Sequence, residues 1–201
     1  MSLPAPAELL VALDRAMREH AFRWYVFGAQ AVVVHGRPRL TADVDATVDP
    51  AGAPAQDVAD TLAAHGFALR FQLSAEHMRA TRLLPMVHAP SGMPLDLVIA
   101  GPGLDQEFLA RARPCDIGGV VVPVISPEDL VAMKVLAGRR KDLEDVRGVL
   151  MEQEGRIDLE RTRDVLASME AIVGEGKLLS RLDRLVRAAA GSSVRRGTKR
   201  R

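Results

Sequence analysis

The segment 42–48 is the strongest constraint on the fold because its polar and apolar residues alternate strictly. The order along the chain is Ala42, Asp43, Val44, Asp45, Ala46, Thr47 and Val48. Successive side chains of a strand point to opposite faces, so the segment is predicted to form a half-exposed strand. Two carboxylates that stand two residues apart then leave the same face, close enough to share hard cations.

Residues 1–125 are predicted to combine strands with a few helices. Apolar spacings of three and four residues, and glycines that end the segments, predict helices over 6–21, 29–35 and 57–65. Runs of apolar and β-branched residues predict further strands over 23–27, 67–72, 79–87 and 94–100. A turn-forming sequence, APSGM, is expected to join the last two strands.

From residue 126 the pattern changes to helices alone. Ser126 followed by Pro127 and two acids is typical of a helix start, with a hydroxyl cap and negative charge near the dipole. Helices are predicted over 126–137, 140–154, 159–173 and 177–190. The chain is therefore expected to divide into a strand-containing core (1–125), a helical region (126–190) and a basic, disordered tail (191–201).

Charge is distributed unevenly along the chain. The 201 residues include 27 Lys and Arg against 26 Asp and Glu, a formal net charge of +1. Residues 191–201 hold five of the cations and no acid, which leaves 22 cations against 26 acids in the rest of the chain. If the tail is not simply disordered, its expected role is a phosphate-seeking arm for RNA.

Composition also excludes several classes of protein. With five Phe, one Trp and one Tyr, a surface that stacks single-stranded bases is not expected. The uncharged stretches are too short to span a bilayer, and the N-terminal sequence does not resemble a signal peptide. Cys115 is the one cysteine, which excludes an internal disulfide and a Cys-based zinc cluster. We therefore expect a cytoplasmic protein without a membrane partner.

Three separated motifs supply the parts of a phosphoryl-transfer site. Gly28 stands where a predicted strand turns into a helix, and there glycine allows close approach of a ligand to backbone amides. Asp43 and Asp45 leave one face of the next strand, and Asp96 lies in an otherwise apolar strand, where a carboxylate needs a cation or hydrogen bonds. Such a set can hold two Mg²⁺ ions for in-line nucleotidyl transfer.

Each motif also has a simpler interpretation. The acidic pair could be the solvated side of its strand, and Asp96 could close a hairpin turn that begins at Pro94. Lys134, an isolated charge in an apolar helix, could extend along the helix edge to solvent. Cations after a helix end are favoured by the dipole alone, and this applies to Arg139, Arg140 and Lys141. Asp142 and Asp145 are expected to pair with these cations.

The motifs together resemble the signature of the polymerase-β-like nucleotidyltransferases. Phe27-Gly28-Ala29 is similar to its glycine turn, with Ala29 in place of the usual Gly or Ser, and Asp43-Val44-Asp45 is similar to its acidic pair. The stretches 27–49 and 126–146 resemble the AbiEii-type and MenT-like enzymes of toxin–antitoxin and abortive-infection systems. The resemblance covers about residues 22–150 and implies an α+β fold, with a mixed β-sheet core followed by a C-terminal helical bundle.

The resemblance also implies roles for individual residues. Catalysis and metal binding fall to the three acids Asp43, Asp45 and Asp96, and Asp96 is expected to orient the acceptor hydroxyl. Nucleotide binding falls to Gly28, Ala29, Lys134, Arg139, Arg140 and Lys141.

Three functions are compatible with this set of residues. The first is a Mg²⁺-dependent transfer of a nucleoside monophosphate from an NTP to a hydroxyl of tRNA or protein, as in a toxin with an antitoxin partner. The second is a non-catalytic member of such a pair that binds nucleotide or a partner protein. The third is an adenylyltransferase that acts on a small molecule such as an antibiotic.

Overall fold

The chain forms two compact units. The computed structural model describes residues 3–174 and 176–197. The first unit comprises the chain up to Ala31 together with Arg39–Ile125. The second comprises Val32–Pro38 together with the chain from Ser126 onward. The short segment 32–38 therefore belongs with the helices that follow residue 125, which local sequence patterns do not indicate.

A seven-stranded mixed sheet forms the centre of the first unit. Its strands are β1 (Arg23–Phe27), β2 (Val44–Asp49), β3 (Phe67–Leu69), β4 (Leu83–His88), β5 (Met93–Ile99), β6 (Arg113–Ile117) and β7 (Val120–Val124). They lie in the order β3-β4-β5-β2-β1-β7-β6. The pairs β1–β7 and β2–β5 are parallel and the other neighbours antiparallel. The predicted mixed β-sheet, and with it the α+β fold class, is confirmed.

Burial of β2 follows the alternation of its sequence except at Thr47, which lies on the face of Asp45 but is buried. Val44, Ala46 and Val48 are completely buried, whereas Asp45 and Asp49 on the other face are half-buried. The unit also contains helices, which are α1 (Ala5–Glu19), the start of α2 (Gly28–His35), α3 (Ala55–Ala63), α4 (Ala75–Thr81) and α5 (Leu104–Arg111). Helix α1 contacts β5 and β7. Its apolar residues, spaced three and four apart as predicted, belong to the core.

Four helices make up most of the second unit. They are α6 (Pro127–Ala137), α7 (Arg140–Glu152), α8 (Leu159–Val173) and α9 (Leu178–Gly197). Helix α6 contacts each of the other three. It starts after Ser126 and ends at Gly138, which has the left-handed conformation with φ of 65°. The helical second part of the chain and the signals that bound α6 are as predicted.

Removal of the Ser126 hydroxyl is expected to destabilise the second unit by about 1 kcal/mol. Ser126 Oγ accepts a hydrogen bond of 3.2 Å from the backbone N–H of Asp129, which satisfies one of the free donors of the first turn. Urea denaturation of Ser126→Ala measures the loss. Ser168→Ala, on an exposed position within α8, is the matched control and should change the free energy of unfolding by less than about 0.5 kcal/mol. Equal effects of the two variants would contradict the capping role.

Several elements differ from the sequence prediction. The start of the strand predicted over 79–87 lies in α4, because Ser74 caps a helix there through the His77 amide. Neither α5 nor the β6–β7 hairpin was predicted. The hairpin turns at Gly118 and Gly119, both with positive φ, and adjacent glycines of this kind are a sequence signal for such a turn.

The C-terminal tail was also predicted incorrectly in part. Helix α9 continues through residues 191–197, where the composition predicts a disordered tail. The segment contains no proline, and Gly191 alone is not sufficient to end a helix. The remaining tail residues, 198–201, lie outside the described part of the chain. None of the described helices combines the length and apolar character needed to cross a membrane.

Candidate active site

Gly28 is in direct contact with one of the predicted acids. It follows β1, begins α2 and has a φ of +62°, a conformation that side chains rarely adopt. A Cβ atom built on Gly28 would lie 1.8 Å from Oδ2 and 2.6 Å from Cγ of Asp45. The carboxylate of Asp45 thus occupies the space that any side chain at position 28 would need. Both the backbone conformation and this contact require glycine here.

The register of the sheet brings Asp45 and Asp96 together. Asp45 pairs with Phe27 on β1 and, on its other side, with Asp96 on the parallel strand β5. Residues that pair across neighbouring strands project to the same face, with strands about 4.8 Å apart. The two carboxylates therefore lie side by side at the edge of the Gly28 turn. Asp96 is within β5, so the alternative that it closes a hairpin turn is wrong.

Asp43 immediately precedes β2 and is held by a nearby hydroxyl. Thr41 Oγ1 lies 2.8 Å from Oδ1 of Asp43 and 3.1 Å from its carbonyl oxygen. Asp43 is half-buried. Because Thr41 is only two residues from Asp43, these hydrogen bonds hold the turn that leads into β2 and orient the Asp43 carboxylate.

Asp96 has a partner that the sequence did not reveal. Its Oδ1 accepts a hydrogen bond from the guanidinium of Arg70, and the two side chains are 33% and 35% exposed. The Arg70 amide bonds to the carbonyl of Pro85 on β4, and Pro85 pairs with Asp96. Arg70 therefore extends the row that runs across the sheet through Asp96 and Asp45. No local pattern indicates this contact, because it depends on the pairing of three strands.

The three acids fit Mg²⁺ in chemistry but do not form a ready cluster. They supply only carboxylate oxygens, which Mg²⁺ prefers, and Asp45 and Asp96 are direct neighbours. Among the described residues, however, no group of three or more His, Cys, Asp or Glu side chains is placed to hold a metal ion. Neighbouring carboxylates repel each other unless a cation lies between them. Because Arg70 bonds to Oδ1 of Asp96, a cation beside Asp45 would compete with the guanidinium for the charge of this carboxylate.

The predicted phosphate-binding cations all belong to the second unit. Lys134 is buried, and its Nζ lies 3.0 Å from Asp142 Oδ1 and 2.8 Å from Asp145 Oδ2. Arg139 also bonds to Asp142, at 2.5 Å, which confirms the expected pairing of this acid with the cation cluster. The ammonium of Lys134 lies between two carboxylates and joins α6 to α7, and its binding of a nucleotide phosphate stays a prediction.

Two other cations of this cluster are exposed on α7. Arg140 forms a surface pair of 3.3 Å with Glu144, and Lys141 is exposed. Surface pairs of this kind contribute little to stability. The role of these cations in phosphate binding stays a prediction.

The buried charges of α6 and α7 make stability sensitive to acid. Burial alone would raise the pKa of Asp142, but hydrogen bonds from Arg139 and Lys134 outweigh it, so the pKa lies below the usual range. A carboxyl with a lowered pKa in the folded state contributes stability above its unfolded pKa of about 3.9. That contribution is lost as the pH falls through the lower pKa of the folded state.

Lys134→Met is expected to destabilise the protein by about 3–5 kcal/mol, because the buried Asp145 would lose this cation and the buried Asp142 would keep only Arg139. The change in the free energy of unfolding is measured by urea denaturation at neutral pH. Lys141→Met, the same substitution at an exposed position, should change it by less than about 0.5 kcal/mol. An unchanged stability of Lys134→Met would show that this lysine is free for another role.

Several solved structures are similar to this chain in fold. The antibiotic-resistance factor ANT(2'')-Ia aligns with a TM-score of 0.59 at 14% identity, over 84% of this chain and 93% of that one. An antigenic nucleotidyltransferase-like protein from Paracoccidioides brasiliensis aligns with a TM-score of 0.54 at 19% identity, over 90% and 94%. The lincosamide antibiotic adenylyltransferase LnuA, bound to lincomycin, gives 0.50 at 16%, over 74% and 98%. At these identities the likeness concerns the fold.

The protein is a nucleotidyltransferase by fold and by family. It belongs to a family described as "Nucleotidyltransferase of unknown function (DUF6036)", whose family model matches residues 8–179. Comparison with curated proteins gives no match. The predicted superfamily is thus confirmed.

Proposed function

We propose that the protein transfers a nucleoside monophosphate from an NTP to a hydroxyl group, with Asp43, Asp45 and Asp96 as its acidic residues. The observation that carries the proposal is the register that sets Asp45 beside Asp96, together with the contact of Asp45 with Gly28. Carboxylates on neighbouring strands next to a glycine turn at a helix start suit a triphosphate and its cations.

In this reaction the acceptor hydroxyl loses its proton to solvent, and its oxygen forms a bond to the α-phosphorus of the NTP. The bond from that phosphorus to the bridging oxygen breaks, and pyrophosphate leaves on the opposite side. Backbone amides at Gly28 and Ala29 bind the triphosphate, and Asp96 orients the hydroxyl. Mg²⁺ held by the acids would stabilise the charge that develops on the transferred group.

For the acceptor, we propose tRNA or a protein, as the AbiEii- and MenT-like motifs imply. On this proposal the protein is the toxin of a toxin–antitoxin pair and has an antitoxin partner. The support is the sequence of the stretches 27–49 and 126–146.

A second candidate is a small-molecule acceptor such as an antibiotic. It is favoured by the fold of the neighbours, among them ANT(2'')-Ia with adenylyl-2''-tobramycin, which aligns with a TM-score of 0.54 at 16% identity.

Radiolabelled nucleotides distinguish these acceptors. The protein is incubated with Mg²⁺ and each of the four α-labelled NTPs, in parallel with total tRNA, a cell-protein extract, or kanamycin and lincomycin. Label on tRNA or protein supports the first candidate, and label on an antibiotic alone supports the second. Tight binding of a partner protein without any transfer would instead support the non-catalytic alternative.

A further inference from the structure

The paired residues that cross the sheet indicate the side from which an acceptor reaches the site. It runs from Phe27 on β1 through Asp45 and Asp96 to Pro85 on β4, and Arg70 follows Pro85. If the triphosphate lies at the Gly28 turn, as proposed above, Asp96 is the acid farther from it. In an in-line displacement the acceptor attacks opposite the leaving pyrophosphate. The acceptor therefore approaches over β5, β4 and β3, the side on which Arg70 lies.

Among the described residues that β3, β4 and β5 project beside Asp96, none is a second acid. The residues that β3, β4 and β5 project to the same face as Asp96 are otherwise apolar in the described structure, namely Ala68, Leu83, Pro85, Val87, Pro94 and Val98. The guanidinium of Arg70 is thus the one charged group next to Asp96 on these strands. Polycationic acceptors are bound by several carboxylates, because recognition depends on complementary charge. The strand residues next to Asp96 are instead apolar, with a cation beside them, and do not suit a polycationic acceptor.

Arg70 becomes available for a ligand when Asp96 takes up its role in the site. Both side chains are about one-third exposed, so the guanidinium can exchange partners without unfolding the strand. A guanidinium matches the paired oxygens of a phosphate through two parallel hydrogen bonds. Because Arg70 and Asp96 are in direct contact, the anion that replaces Asp96 must lie only a few atoms from the reacting hydroxyl. A nucleotide holds a hydroxyl and a phosphate on one sugar at such a separation.

We propose that Arg70 is a specificity-determining residue that binds a phosphate of the acceptor beside the reacting hydroxyl. The inference rests on the proposed function and narrows its acceptor to a phosphate-bearing molecule. Arg70 neutralises Asp96 in the absence of substrates and binds the acceptor phosphate when Asp96 orients the hydroxyl.

Binding of two dinucleotides, one with a charged phosphodiester and one with an uncharged methylphosphonate linkage, tests this role. The protein is saturated with Mg²⁺ and the α,β-methylene analogue of ATP, and the Kd of uridylyl-uridine is compared with that of its methylphosphonate analogue. Wild-type protein is expected to bind the phosphodiester about tenfold more tightly. Arg70→Gln should reduce this ratio to less than about twofold, while Arg70→Lys keeps part of it. Arg113→Gln, which removes an exposed arginine at the opposite edge of the sheet, is the matched control and should keep the full ratio.

Different results would contradict the role of Arg70 and the proposed nucleotidyl transfer. Equal affinities of the wild type for the two dinucleotides would overturn the role of Arg70. So would an unchanged ratio in Arg70→Gln, equal effects of Arg70→Gln and Arg113→Gln, or preferential binding of kanamycin. Failure of the ATP analogue to bind with Mg²⁺ would overturn the proposed function and this inference with it.

Discussion

Asparagine in place of Asp45 is expected to lower the rate of nucleotidyl transfer by about a thousandfold, equivalent to ~4 kcal/mol of transition-state stabilisation. Asp45 touches the Gly28 turn on one side and pairs with Asp96 on the other, so it is the acid common to both parts of the site. The substitution keeps the size of the side chain but removes its negative charge, which is needed to hold a divalent cation against the triphosphate. Steady-state release of pyrophosphate with Mg²⁺ and NTP measures the effect.

The loss should be specific to chemistry. Because Asn is nearly isosteric with Asp, the Tm of the Asp45→Asn variant is expected to stay within a few degrees of the wild type. Asp60→Asn, on an exposed position of α3, is the matched control and should retain full activity. Full turnover in Asp45→Asn would rule out the acidic pair as the catalytic centre.

Alanine in place of Gly28 is expected to reduce activity by at least about a hundredfold and stability by about 1–2 kcal/mol. The stability cost follows from a φ of +62°, which an L side chain adopts only with strain. The loss of activity has a separate cause, because the new Cβ would overlap Oδ2 of Asp45, only 1.8 Å away. Asp45 would have to move away from both the turn and Asp96. Pyrophosphate release and urea denaturation measure the two effects.

Gly92→Ala separates the two causes. Gly92 lies in the β4–β5 turn with a φ of +67°, and a Cβ built there meets nothing within 4 Å. This variant should show a similar loss of stability with full activity. If Gly92→Ala and Gly28→Ala lose activity to the same extent, strain rather than displacement of Asp45 is responsible.

The parts of the site that are local in sequence could be predicted from it. Alternation over 42–48 gives the face of Asp45, and the glycine after β1 marks the turn that it contacts. Periodicity and the cap at Ser126 give the helical second part. Each of these features depends on residues close together in the sequence, whose conformations follow from backbone geometry and local side-chain chemistry.

The parts that depend on pairing between distant segments could not be predicted. Arg70 reaches Asp96 only because β3, β4 and β5 are in a particular register. The partners of Lys134 are a second example. An isolated cation in an apolar helix indicated a ligand, whereas its partners Asp142 and Asp145 come from the next helix. A buried charge has to be paired, and the sequence does not say by which residue.

The structure shows where some of the charges of the acidic body lie. The acidic body, with 22 cations against 26 acids, includes the carboxylates of the proposed site, where cations and a triphosphate would offset them. The arginine beside Asp96 places positive charge on the side from which the acceptor is proposed to enter. The overall charge of +1 therefore conceals local fields of both signs.

Parallel incubations with α-labelled and γ-labelled NTP test the proposed reaction most directly. Wild-type protein with Mg²⁺ and the acceptor fraction should transfer the α-label to the acceptor and release one pyrophosphate for each label transferred. The γ-label should leave entirely with pyrophosphate, and Asp43→Asn should abolish both signals. Transfer of the γ-label, or equal transfer of the α-label by Asp43→Asn, would contradict nucleotidyl transfer by these acids.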